Sequence, residues 1–200
     1  MKSPINLSIP LALETIRKLR VHDIVTLSGT VLTARDMAHL KLKELHQKGK
    51  PLPEIFEGGV IFHAGPVVKK TDGSFAILAI GPTTSIRMEP HSDFIGRLGV
   101  KAVVGKGGMG DESLQAFKQY GMVYLLAAPG CGVLHAEAVQ EVKRVHWLED
   151  LGMPEAIWVL EVSNWGPLTV AMDSHGNSIF RTIREEGLKK LEKLVRDGKG

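Results

Sequence analysis

Lys101-Ala102-Val103-Val104-Gly105-Lys106-Gly107-Gly108-Met109-Gly110-Asp111 decides the fold. A short apolar run meets a glycine loop, and Asp111 then caps a helix that reaches to about Tyr120. The same order repeats downstream. Met122 to Ala127 reads as a second strand, Pro129-Gly130-Cys131-Gly132 as a loop, and Ala136 to about Leu151 as a helix. Strands alternating with helices here, with hairpin-like strands toward both ends, indicate a layered α/β domain with a mixed sheet and flanking helices. In that architecture the loops beyond the strand ends hold the site.

On the N-terminal side, Leu11 to Leu19 carry helix-spaced apolar residues and Asp23 to Val31 reads as a strand. Thr33 followed by Asp36 resembles a capping box, which makes Ala34 to about His46 helical and closes that helix at Gly49 and Pro51. Val60 to His63 and Phe75 to Ile80 read as strands, separated by turns at Gly65-Pro66 and Thr71-Asp72-Gly73. Asp93 to Leu98 is a short helix. Further on, Ala156 to Val162, Leu168 to Met172 and Ser178 to Phe180 read as strands joined by hairpin turns. Ile183 to Val195 is amphipathic and charged, within a C-terminal helix at about 181–197. No repeat or long linker divides the chain, so residues 1–200 read as a single domain.

Hydrophobic residues make up 44% of the chain, enough for a sizeable core without staples. The 25 basic residues are interspersed with 22 acidic ones, so a net charge of +3 does not require a nucleic-acid partner. Cys131 is the only cysteine, which excludes an internal disulfide and any cluster held by several thiolates of this chain alone. A reducing, cytoplasmic setting is expected. Met1 to Arg20 read as neither a signal peptide nor a membrane span.

Gly81-Pro82-Thr83-Thr84-Ser85-Ile86-Arg87-Met88 ends an apolar run with three hydroxyls and a cation, which suits an anionic ligand. A polar turn that merely caps the next segment is the alternative. Arg35 falls in the opening turn of the helix after Thr33, where free N–H groups and the helix dipole favour an anion. Gly105 to Gly110 matches G-x-G-x-x-G, so a nucleotide-binding module is a competing reading, as is a glycine turn with a solvated Lys106. No acidic residue follows the next strand to hold a ribose, and a Walker loop is excluded because Gly107 follows Lys106. His39 and His46 are too far apart along one helix to act as adjacent metal ligands. Together, Arg35, Thr83, Thr84, Arg87 and Lys106 suit a small dianion.

Several of these blocks resemble, in order, the beta subunit or C-terminal domain of class I iron–sulfur fumarases and the related L(+)-tartrate dehydratases. They are Thr33-Ala34-Arg35-Asp36 with Ala38-His39, Gly65-Pro66, Gly81 to Met88, Val104 to Gly108, and Pro154-Glu155-Ala156-Ile157 through Val162. The resemblance spans roughly residues 5–180 and implies a swivelling β/β/α domain of the aconitase-like type. It also implies a partner alpha subunit that supplies a [4Fe–4S] cluster, an α2β2 heterotetramer, and activity only in that assembly. This chain would bind no cofactor or metal itself. The implied reaction is reversible hydration of fumarate to malate, with tartrate dehydration as the alternative. Thr83 would abstract the proton, Lys106 would act in catalysis and in carboxylate binding, and Arg35, Thr84 and Arg87 would bind substrate. The segment Asn164-Trp165-Gly166-Pro167-Leu168, the charged C-terminal stretch and Ile86 depart from the family pattern.

Overall fold

A computed structural model describes residues 3–71 and 73–197. Three short apolar runs form its centre: β3 (Val60–Phe62), β6 (Ala102–Gly105) and β7 (Val123–Leu126). They lie parallel in the order β3-β6-β7. Strand geometry sends alternate side chains to opposite faces. Val60, Phe62, Ala102, Val104, Val123 and Leu125 therefore enter one core, and Ile61, Val103 and Tyr124 another. Both faces are covered, as continuous apolar runs in parallel strands require.

Two longer strands close the arrangement. β2 (Ile24–Thr33) runs parallel to β3 through Val31–Thr33 and parallel to β1 (Ile5–Ser8) through its earlier half. Its other edge pairs antiparallel with β9 (Ile157–Met172), and β9 returns to β7 through Thr169–Met172. The pairings β2–β3–β6–β7–β9–β2 thus make a ring. Its outer core holds residues of α2 (Asp36–Gln47), α3 (Ser92–Arg97) and α4 (Asp111–Tyr120), so helices cover that face. The other core, with Leu27, Val31, Phe62, Val104, Trp158 and Leu160, is enclosed by the ring.

β4 (Ala64–Thr71) and β5 (Ser74–Pro82) form a separate antiparallel hairpin. Phe75 packs edge-on against Trp158 at 5.2 Å, and the hairpin hands the chain on to Thr83. The mixed α/β architecture and flanking helices agree with the sequence reading.

Five local expectations are corrected. The apolar stretch Leu11 to Leu19 contains only a short helix, α1 (Leu13–Ile16). Gly65-Pro66 is not a turn but part of β4, where a Cβ at Gly65 would come within 2.6 Å of the Pro154 carbonyl oxygen. The expected helix from Ala136 to Leu151 is instead α5 (Gly132–Glu137), strand β8 (Val139–His146) and α6 (Leu148–Leu151). β8 pairs with β9 with register shifts between Val139 and Glu141 and between Val142 and Arg144. Each bulge adds one residue, so Val139, Val142 and Val145 face the core at a spacing of three and imitate a helix.

The hairpins expected between Val162 and Leu168 do not form either. β9 continues through a kink at Asn164 (φ 49°), a left-handed position that asparagine tolerates. Ser178 makes only an isolated bridge to Met172, and Phe180 already belongs to α7 (Ile179–Asp197). Asp72, in the expected Thr71-Asp72-Gly73 turn, lies outside the described residues.

Thr33 is the fifth correction. Arg35, not Thr33, is the N-cap of α2, and its side chain makes no capping bond. The buried Thr33 hydroxyl donates to the Ala156 carbonyl at 3.2 Å and accepts the Trp158 N–H at 2.9 Å, stitching β2 to β9. Thr33→Val keeps the shape but strands the Trp158 N–H. It should lower unfolding free energy by roughly 1–3 kcal/mol in urea titrations, whereas a simple capping role would leave Thr33→Asn near wild type.

Candidate functional site

The parallel strands β2, β3 and β6 all end on one side of the ring, and the segments after them carry Arg35, His63 and Lys106. β5 delivers Thr83 to the same place. The Thr83 N–H donates to the His63 carbonyl at 2.7 Å, the Lys106 N–H to the Thr83 carbonyl at 3.3 Å, and the Ser85 N–H to the Lys106 carbonyl at 3.1 Å. These bonds add a stub of parallel bridge, Thr84 opposite Lys106, to the sheet. Thr83, Thr84 and Lys106 are thereby brought together.

The two arginines are anchored by carboxylates. Arg87 sits on the 3-10 turn Ser85–His91, and its Nη2 donates to Asp36 Oδ2 at 2.7 Å, in the first turn of α2. Arg35 Nε lies 3.1 Å from Glu155 Oε1, although its N–H does not point along a hydrogen bond. The other Glu155 oxygen accepts the Met37 N–H at 3.0 Å, so this carboxylate supplies the missing cap of α2. A guanidinium has five N–H groups, and these pairs hold the arms while using only part of each fork. The Arg35 guanidinium is ion-paired with Glu155, and neither its Nη groups nor the Nζ of Lys106 makes a hydrogen bond among the described residues.

The glycine loop has a different explanation from the nucleotide motif it matches. A Cβ on Gly105 would overlap Ser85 Oγ, one on Gly110 would overlap the Glu89 carboxylate, and one on Gly108 would lie 3.0 Å from Phe180. Glu89 also accepts from the Gly110 N–H and, at 2.9 Å, from the Ser113 hydroxyl. An internal carboxylate thus fills the start of α4, where a pyrophosphate would sit. That occupancy removes the dinucleotide reading.

Sequence reasoning missed the buried layer beneath the site. His39, His63 and His91 are at most 7% exposed; His39 stacks on His91 at 4.9 Å and meets His63 edge-on at 5.7 Å. His39 Nδ1 contacts the Arg35 carbonyl at 2.8 Å and His63 Nδ1 contacts Ser85 Oγ at 3.0 Å. Only His63, directly after the β3 run, stood where strand-end chemistry is expected. His39 was weighed only as a metal ligand paired with His46, and His91 gave no signal, because helical periodicity cannot show that the two would stack.

Burial holds His39 and His91 at about 4 and pushes His63 well below the ordinary histidine value. After burial, Lys43 adds to the depression at His91, and the neighbouring histidines and Arg87 add to it at His63; Asp36 opposes it at His39 and His91. All three are neutral at pH 7.

The donors of this chain do not make an iron–sulfur site. Cys131 is its single thiol, and no three His, Cys, Asp or Glu among the described residues are placed to hold a metal ion. No helix among the described residues is long and apolar enough to cross a membrane.

Arginines anchored by carboxylates, a lysine and two threonines thus gather beyond the strand ends of an α/β domain. Comparison with known proteins gives that domain its family. The chain belongs to the fumarase C-terminus family, whose model matches residues 1–183. A Methanocaldococcus jannaschii protein provisionally named L(+)-tartrate dehydratase subunit beta is 49% identical over 90% of this chain and 93% of its own. The Escherichia coli K12 L(+)-tartrate dehydratase subunit beta is 40% identical over 96% and 94%. A Geobacillus stearothermophilus protein provisionally named fumarate hydratase class I is 41% identical over 95% of this chain but only 36% of its own length.

The histidine layer sets an acid limit. Unfolded histidines take up protons below about pH 6.5 while the folded ones stay neutral to about pH 4, so stability is complete above that window and is lost as pH falls through it. Chemical denaturation between these limits should show a slope steeper than the ~1.4 kcal/mol per pH unit of a single histidine. A flat profile would exclude a neutral buried cluster.

Proposed function

We propose that this chain is the beta subunit of a two-subunit hydro-lyase that adds or removes water across the central carbons of a four-carbon dicarboxylate. The observation carrying this reading is the backbone clasp that bonds the Thr83–Ser85 segment to Lys106, with Thr84 opposite Lys106 and Arg35 and Arg87 tethered by carboxylates. Family membership and the relatives' names support it.

Thr83, as its alkoxide, accepts the proton from the carbon next to a carboxylate and becomes the neutral hydroxyl. A threonine hydroxyl is a weak base, and a cation such as the Lys106 ammonium, on the adjoining loop, would favour the deprotonated oxygen. Charge then builds on the adjacent carboxylate. Arg35, Arg87 and Lys106 face that growing charge, and interactions that strengthen toward the transition state are those that raise the rate. Thr84 holds substrate through its hydroxyl. In the hydration direction Thr83 returns the proton to the same carbon.

The [4Fe–4S] cluster belongs to the alpha subunit in this reading, because one thiol cannot hold it here. The domain is taken as the swivelling β/β/α type of aconitase-like enzymes, working in an α2β2 assembly in the cytoplasm. L(+)-tartrate is the favoured substrate, since the stand-alone chains of matching length carry that name. Fumarate hydration is the second reading, favoured by the likeness to the Geobacillus chain.

Co-expression with a cluster-bearing alpha subunit without oxygen, followed by assays on tartrate, fumarate and malate, tests the proposal. Turnover should require both chains. Thr83→Ala should lower kcat by roughly the 10²–10⁴-fold that a positioned acid–base group contributes, with KM nearly unchanged. Near-normal turnover in that variant would remove Thr83 from the chemistry, and the ratio of rates on tartrate and fumarate decides between the substrates.

A further inference from the structure

Beneath Thr83 and Lys106 runs a chain of fully buried polar groups: His63, Ser85 and Tyr124 are each 0% exposed. Ser85 Oγ lies 3.0 Å from His63 Nδ1 and 3.0 Å from Tyr124 Oη, and Tyr124 Oη lies 3.0 Å from the Gly107 carbonyl. Their directions follow from the available hydrogens. A carbonyl can only accept, so the single phenolic hydrogen of Tyr124 goes to Gly107. Tyr124 Oη then accepts from the Ser85 hydroxyl, and Ser85 Oγ accepts from the His63 Nδ1–H. Burial raises the Tyr124 pKa, which keeps that hydrogen in place.

Two functions are open to such a chain: carrying a proton or fixing a position. Its far end is an amide carbonyl, which cannot take a proton at ordinary pH. The near end is a histidine that burial keeps neutral. The carbonyl end therefore closes a relay. What the chain does join is the loop of Lys106, through Gly107, the loop of Thr83, through Ser85, and strands β3 and β7, through His63 and Tyr124. Gly105 belongs to the same device, since a Cβ there would overlap Ser85 Oγ and come within 3.2 Å of Tyr124 Oη.

We propose that Ser85 and Tyr124 are positioning residues: the one-way chain His63 → Ser85 → Tyr124 → Gly107 carbonyl holds the loops that carry Thr83 and Lys106 at a fixed separation. The proposal rests on the functional reading above, in that it concerns the residues placed there at the substrate. Neither side chain reaches the substrate itself. Their contribution is to keep two loops from different strands in register, and a small misplacement of reacting groups lowers rate steeply.

Amide hydrogen exchange on the full chain tests the brace without needing activity. Tyr124→Phe removes only the hydroxyl. The amides of Thr83, Ser85 and Lys106 should then exchange roughly tenfold faster, the order expected for one lost buried hydrogen bond. Amides within β6 and β7 should not change. Uniform acceleration throughout the ring, or none in the two loops, overturns the proposal. Ser85→Ala should give the same pattern, which guards against a fold defect peculiar to one variant. In the complex with the alpha subunit, both variants should lose kcat with KM held within about twofold, on the order of normal binding; a loss confined to KM counts against positioning. If Thr83→Ala is fully active while Tyr124→Phe still loosens both loops, the functional reading fails and the brace stands.

Discussion

Two peptide hydrogen bonds, Ser85 N–H to the Lys106 carbonyl and Lys106 N–H to the Thr83 carbonyl, join a segment delivered by an outlying hairpin to the end of a central strand. Everything attributed to the site depends on them. The hydroxyl and ammonium come from chain positions more than twenty residues apart, and between β5 and the 3-10 turn, as after β6, each segment is irregular. Backbone bonding adds each loop to the sheet as a short extra rung, so the site inherits the rigidity of the ring. Side-chain bonds below, from His63 through Ser85 and Tyr124, reinforce the same junction.

The ring explains why that junction can be rigid. Short parallel strands buried on both faces leave little room for sliding, because a shift of one residue would exchange the inner and outer cores. β9 supplies the closure, pairing with β2 along one edge and with β8 and β7 in turn along the other. Thr33 fastens β2 to β9 at the level where the Arg35 segment begins. The carboxylate of Glu155, just before β9, then reaches both Arg35 and the start of α2. Cations are thus oriented by acids whose own positions are fixed by helix starts. The same device recurs where Glu89 fills the start of α4.

Much of this was legible in the residues, and the gaps have physical causes. The short strands of the centre declared themselves because unbroken apolar runs bounded by glycine have few alternatives. The candidate residues Arg35, Thr83, Thr84 and Lys106 lie at element ends, where polar groups interrupt apolar runs, and Arg87 sits on the turn that follows. β8 was misread because two bulges turn a period of two into a period of three, which one-dimensional reading assigns to a helix. β9 was split because Asn164, Gly166 and Pro167 look like a turn, while cross-strand pairing carries the strand through them. Thr33 had the spacing of a cap but was claimed by β9, a partner more than a hundred residues away. Stacking of His39 on His91 is likewise a product of tertiary packing alone.

The central claim is that Thr83 and Lys106, whose loops the clasp joins, act as a unit on one bound dicarboxylate. A double-mutant cycle on kcat/KM of the reconstituted two-subunit enzyme measures this directly, using Thr83→Ala, Lys106→Met and the combined variant. Groups acting as a unit are grossly non-additive. The account predicts that the double variant is about as slow as the slower single variant. Losses that multiply, each mutation costing the same factor with or without the other, would contradict it.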